Sequence, residues 1–160
     1  MGKMNVAQDI HIVPIRATTT DTATFVTPHV NMKQYEKVEF IVVFGTLSGG
    51  SNVLTVTQDS TTAGTAGTTA IAARYRMAAA CGTDTMGATT ALASTGLTLT
   101  YGTFTTNTLI VDIDSSDCTT ADKPYVGLFF DDPGTADAVV TVIALCWPKY
   151  PKETNANALT

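Results

Sequence analysis

Val38-Glu39-Phe40-Ile41-Val42-Val43-Phe44 is the stretch that decides the fold. β-Branched and aromatic side chains suit a pleated strand. A nearly continuous apolar run is the pattern of a central strand covered on both faces. The run ends at Gly45, and Ser48-Gly49-Gly50-Ser51-Asn52 then supplies turn residues that return the chain into Val53–Gln58. That succession predicts a β-hairpin.

Outward from this pair, nearly every patterned segment has period two. Ile10–Arg16 reads as a strand, and Pro14, which cannot donate to a ladder, places it at a sheet edge. Thr20–Phe25 is short, threonine-rich and weakly apolar. Ser60–Thr69 has no large side chain and reads as an exposed loop. In Ala70–Met77, Ile71, Ala73, Tyr75 and Met77 fall on one face, and Ala72, Arg74 and Arg76 on the other. Successive strand side chains point to opposite faces, so both arginines are expected to face out. Leu97, Leu99 and Tyr101 alternate, as do Leu109, Val111 and Ile113. Tyr125–Phe130 and Ala138–Cys146 follow, joined by the turn signal Asp131-Asp132-Pro133-Gly134.

Only Val30–Lys37 reads as a helical turn, with a short helix near Ala88–Ala93 as a weaker pattern. The fold class is therefore all-β, an antiparallel β-sandwich or jelly-roll-like arrangement of about eight or nine strands with little helix. Residues 10–147 form the sandwich domain, 1–9 an N-terminal arm and 148–160 a C-terminal tail with little to pack. Ala78–Ser94 is long, small and polar, and a segment of that kind usually has a task such as binding a neighbour.

The chain has 160 residues, 44 % of them hydrophobic and only 14 % charged. Globular domains average about 25 % charged residues, so this one is short of ordinary solvated surface. Threonine is its commonest residue, and small uncharged side chains lose little rotamer entropy when two surfaces meet. Such a composition fits a protein largely covered by other subunits. The net charge is −5. The cations are scattered apart from Arg74 and Arg76, leaving no basic stripe for phosphates, so direct nucleic-acid binding is not expected. No uncharged apolar run approaches the roughly 18–20 residues of a membrane helix. Met1-Gly2-Lys3-Met4-Asn5 lacks the apolar core of a secretory signal. Cys81, Cys118 and Cys146 are far apart without a CxxC pair, the pattern of free thiols in a reducing cytoplasm.

Catalytic chemistry finds little footing. His11 and His29 sit beside β-rich sequence without a partnered nucleophile, and the common hydrolase, metalloprotease and nucleotide-binding motifs are absent. Asp112-Ile113-Asp114-Ser115-Ser116-Asp117 starts like a calcium loop. It then has Asp117 and Lys123 where an EF-hand needs Gly and Glu, so an acidic strand end is the favoured reading. Asp131, Asp132 and Asp137 read as a turn. No enzyme activity, cofactor or metal is expected. Arg74 and Arg76 are either solvated charges or contacts to an acidic patch on a partner, which arginine's planar fork suits. Trp147 either caps the core or anchors the tail to a neighbour. The expected partner contacts are Met1, Lys3 and Met4 of the arm; Arg74 and Arg76; Thr83, Asp84 and Met86 of the polar stretch; and Trp147 and Tyr150.

One resemblance runs over most of the chain. It is carried by His11-Ile12-Val13-Pro14-Ile15-Arg16, by Val38-Glu39-Phe40-Ile41-Val42-Val43-Phe44-Gly45, and by Tyr75-Arg76 followed by Gly82-Thr83-Asp84-Thr85 and Gly87-Ala88. The closing Val139–Pro151, ending Pro148-Lys149-Tyr150-Pro151, completes it. On these the chain resembles small structural proteins of tailed bacteriophages encoded close to the major capsid protein, a group that includes head decoration (cement) proteins. The resemblance implies a β-rich subunit on the outer capsid surface of the virion, often a homotrimer, assembled in the host bacterial cytoplasm. Its implied partners are the major capsid protein and itself, with terminal arms lying along capsid subunits and the body clamping neighbouring capsomers. Two other classes fit the same residues: a different virion part (tail tube, head–tail connector or fibre-associated subunit) and a carbohydrate-binding β-sandwich.

Overall fold

The computed structural model describes residues 9–65, 68–131, 138–150 and 158–159. It is an all-β sandwich of two antiparallel sheets. In chain order the strands are β1 (His11–Asp21), β2 (Phe25–Val26), β3 (Val30–Asn31), β4 (Tyr35–Leu47), β5 (Ser51–Asp59), β6 (Thr69–Ile71) and β7 (Ala73–Met77). There follow β8 (Thr90–Leu92), β9 (Leu97–Thr100), the one-turn helix α1 (Tyr101–Phe104), β10 (Thr108–Asp114), a 3-10 turn at Ser115–Asp117, β11 (Tyr125–Phe130) and β12 (Ala138–Pro148). The first sheet runs β1-β12-β4-β10-β7-β8. The second runs β2-β11-β5-β6, with β3 also on β11 and β9 also on β5.

The decisive run lies inside β4, which is central as its composition predicts, with β12 on one side and β10 on the other. Its cover, however, is one-sided. Val38, Phe40, Val42 and Phe44 point inward and are buried, whereas Ile41 is half-buried and Val43 is 41 % exposed. Along β12 and β10, Val140, Val142, Ala144, Leu109, Val111 and Ile113 continue the inward layer. From the second sheet Leu54, Val56, Val126, Leu128 and Phe130 meet it, and together these side chains form one core. Fully burying an aliphatic or aromatic side chain contributes about 1.5–3 kcal/mol, so this single layer supplies most of the driving force.

The expected hairpin is not formed. β4 and β5 are consecutive in the chain but lie in opposite sheets, because β10 and β12 take both hydrogen-bonding edges of β4. Gly49 (φ 70°) and Gly50 (φ 66°) adopt the left-handed conformation glycine allows. They turn the chain over the sandwich end rather than back along its own sheet. Ala70–Met77 is likewise not one strand. It breaks at Ala72, leaving β6 in the second sheet and β7 in the first, while its alternation holds and both arginines face out. Tyr101 does not continue the β9 alternation. It opens α1, which presses Phe104 edge-on against Phe44 at 5.8 Å between ring centres.

Neither expected helix is present. Val30–Lys37 is strand, turn and strand, and residues 88–93 contain β8. Pro14 lies in the edge strand β1 as expected, paired with Ile143 of β12. Twelve strands occur among the described residues, more than the sequence pattern shows, because β2, β3, β6 and β8 have only two or three residues each. The tail is also less idle than its composition predicts. Ala158 is fully buried, and its carbonyl accepts a hydrogen bond from the Asn31 N–H at 2.9 Å.

The inward and outward halves of β4 differ sharply in what they hold. Phe40→Ala is expected to cost about 3–5 kcal/mol in urea unfolding, as buried aromatics do. Val43→Thr, one residue past Val42 and outward, should cost less than about 1 kcal/mol.

Candidate functional site

The outward face of the first sheet carries apolar side chains that the described residues leave partly exposed. Strand register sets its rows. One row runs Pro14, Ile143, Ile41, Ile110, Arg76 across β1, β12, β4, β10 and β7. The next runs Ile12, Leu145, Glu39, Asp112, Arg74. A third places Trp147, Lys37 and Asp114 side by side. Ile12 is 46 % exposed, and Ile41, Ile110, Ile143 and Leu145 are half-buried. Contiguous apolar surface of this sort marks interaction sites on soluble proteins.

Beside it lies an ion network. Lys37 contacts Glu39 at 2.8 Å and Asp112 at 3.2 Å. Arg74 reaches Asp112 at 3.8 Å and Asp117 at 3.4 Å, and it pairs closely with Asp114. Asp117 also accepts the Asp114 backbone N–H at 2.9 Å, which closes the 3-10 turn. The residues that open like a calcium loop are thus spent on a guanidinium and an ammonium of the same sheet. Each pair is partly exposed and contributes little singly, about 0–1 kcal/mol. Together they hold four carboxylates around two cations.

The partner contacts expected from the sequence separate in space. Arg74 is engaged by acids of its own chain, whereas Arg76 has no ion pair among the described residues. Thr83, Asp84 and Met86 are all exposed, but on a tight extension of β7 rather than a structureless loop. Ala78 bridges Met86, the Ala79 N–H donates to Thr85, and the Gly87 N–H donates to Met77. Trp147 does not cap the core: it lies half-buried on the open face, with the Lys37 ammonium 5.4 Å above its ring. Tyr150 is 71 % exposed. Met1, Lys3 and Met4, with Asp132, Pro133, Gly134 and Asp137, lie outside the described residues.

The opposite sheet carries a polar knot that the sequence does not reveal. His29 is fully buried, its Nδ1–H donating to the Thr27 carbonyl at 2.9 Å. Because Nδ1 carries the proton, Nε2 accepts from the Thr57 hydroxyl at 3.0 Å. The ring is held between two glycines. A Cβ on Gly127 would sit 2.3 Å from Nδ1, and one on Gly64 2.3 Å from Cε1. Ser60–Thr69 is therefore no simple exposed loop: its described part folds back, the Thr62 carbonyl accepting the His29 N–H at 2.8 Å. Asp59, also buried, accepts from the Ser60 and Thr61 N–H groups. Fully enclosed, the His29 imidazole has no route to a substrate. His11 instead hydrogen-bonds the Tyr35 hydroxyl at 2.7 Å.

All three cysteines are free. Burial pushes the Cys146 thiol up to about 12. The Cys118 thiol rises to about 11, through burial first and the Asp117 charge second, so neither is a reactive thiolate near neutral pH. No helix among the described residues is long and apolar enough to cross a membrane. No protein-family model, no curated protein and no solved structure matches this chain significantly.

Burial lowers the His29 pKa below its ordinary value, opposed by the Thr27 hydrogen bond and the Asp59 charge. The unfolded chain then binds the proton more readily, so the stability His29 contributes is present above about pH 6.5 and is lost as pH falls below it. Urea midpoints measured from pH 7.5 to 5 should fall with a slope that is flatter in His29→Gln. A separate check on the knot is Gly127→Ala, expected to cost about 1–3 kcal/mol because the added methyl overlaps the imidazole.

Proposed function

We propose that this chain is a structural virion protein of a tailed bacteriophage, a decoration subunit that binds the outer surface of the capsid and stabilises it by bridging neighbouring capsomers. The observation that carries this reading is the half-bare outer face of the first sheet. There the apolar central strand β4 is covered on one side by its own core and on the other by nothing among the described residues. The low content of charged residues and the resemblance of 11–16, 38–45, 75–76, 82–85, 87–88 and 139–151 to small structural proteins of tailed bacteriophages support the same reading.

The physics of such a subunit is additive. A ligand that binds only the assembled shell stabilises it by mass action, and lattice symmetry repeats each contact at every equivalent junction. A rigid sandwich suits this task, since little conformational entropy is lost when a preformed β-surface docks. Homotrimer formation, capsid binding and a place on the outer capsid surface all belong to this proposal.

The test is the copy number of the chain relative to the major capsid protein in purified particles, by quantitative mass spectrometry. Near-stoichiometric occupancy is the expected result. A dozen copies or fewer would move the chain to the portal vertex or tail. Complete absence would overturn the virion reading and leave a glycan-binding sandwich to be tested on a glycan array.

A further inference from the structure

The open face of the first sheet has an internal polarity that narrows what can cover it. The row Pro14, Ile143, Ile41, Ile110 is apolar across four strands and ends at Arg76 on β7. Arg74, two residues away on the same face, is surrounded by Asp112, Asp114 and Asp117, whereas Arg76 has no carboxylate partner among the described residues. A guanidinium at the rim of an apolar surface pairs favourably with a carboxylate that arrives as that surface is desolvated.

We infer that this face docks a segment of a different protein, one that lays apolar side chains along the Pro14–Ile110 row and brings a carboxylate to Arg76. The inference rests on the virion reading, under which that protein is the shell subunit. A second copy of this chain packed row on row does not supply that carboxylate. Laid on itself, the row sets Arg76 against Arg76 or against Pro14, and neither supplies a carboxylate. The ion network bounds the docked segment. Beyond Ile41 and Ile110 the strands present Glu39 and Asp112, so over β4 and β10 the apolar part of the partner ends there, while Ile12 and Leu145 extend it over β1 and β12.

Two measurements on assembled particles test this. p-Benzoylphenylalanine is placed at position 43, where Val43 is 41 % exposed on this face, and separately at position 101, where Tyr101 is 53 % exposed on α1 and off it. On irradiation, position 43 should cross-link to the shell subunit and position 101 should not. In parallel, particles produced without this chain are titrated with purified protein. Arg76→Glu should weaken binding about tenfold to a hundredfold, while Arg76→Lys retains most of it.

Cross-links from position 43 that join two copies of this chain would overturn the inference in favour of self-association. So would cross-links from position 101 alone, or an affinity unchanged in Arg76→Glu. If the chain is absent from particles, the virion reading fails and this inference falls with it. If it is present at high copy number but contacts the shell elsewhere, the inference alone fails.

Discussion

β4 has both of its hydrogen-bonding edges filled, by β10 on one side and β12 on the other, and the rest of the sandwich is arranged around that fact. With no edge of β4 free, β5 must join the second sheet, and the double-glycine turn at Gly49 and Gly50 carries the chain across. β1 can then pair only with the far edge of β12, and β7 only with the far edge of β10. The inward side chains Val38, Phe40, Val42 and Phe44 tie the two sheets together, because their burial needs Leu54, Val56, Leu128 and Phe130 opposite. α1 closes one end by setting Phe104 on Phe44.

The two outer faces are treated differently. On the second sheet the chain covers itself: residues 27–29 and 60–64 fold over β5 and β11, and His29 is locked between Gly64 and Gly127. Here backbone and side-chain polar groups find partners within the chain, as burial requires. On the first sheet nothing comparable is laid down among the described residues, and Ile12, Pro14 and Val43 stay exposed. A chain with few charges puts its ion network on this same face, where Lys37 and Arg74 hold Glu39, Asp112, Asp114 and Asp117 in place. A fixed apolar row with a fixed charged border is a preorganised surface. Preorganisation lowers the cost of docking more than additional area does.

Much of this was legible in local pattern. The alternation of Ile71, Ala73, Tyr75 and Met77 correctly set Arg74 and Arg76 outward, and Pro14 marked the edge strand, since both follow from the chemistry of single strands. Pairing was not legible. Glycine and serine at 48–51 announce a reversal but do not say whether the returning strand joins the same sheet, and here it joins the other. The fate of Arg74 depends on β7 lying against β10, which brings Asp112 and Asp114 to it from some forty residues away. The His29 knot needs three separated segments, so its only trace in the sequence is glycine at 64 and 127, where composition alone shows ordinary loop and strand residues. The fully buried Ala158 is hidden for the same reason: a small side chain in a polar tail carries no periodic signal.

The most direct test of the two-faced account of β4 is hydroxyl-radical footprinting of the chain free in solution and bound to purified particles. Oxidation is read at Ile41, Val43 and Ile143 of the open face, with the exposed Tyr101 as reference. The account predicts that all three aliphatic residues are oxidised in the free chain and protected on the particle, while Tyr101 reacts equally in both. Equal oxidation of Ile41, Val43 and Ile143 in the two states would contradict it.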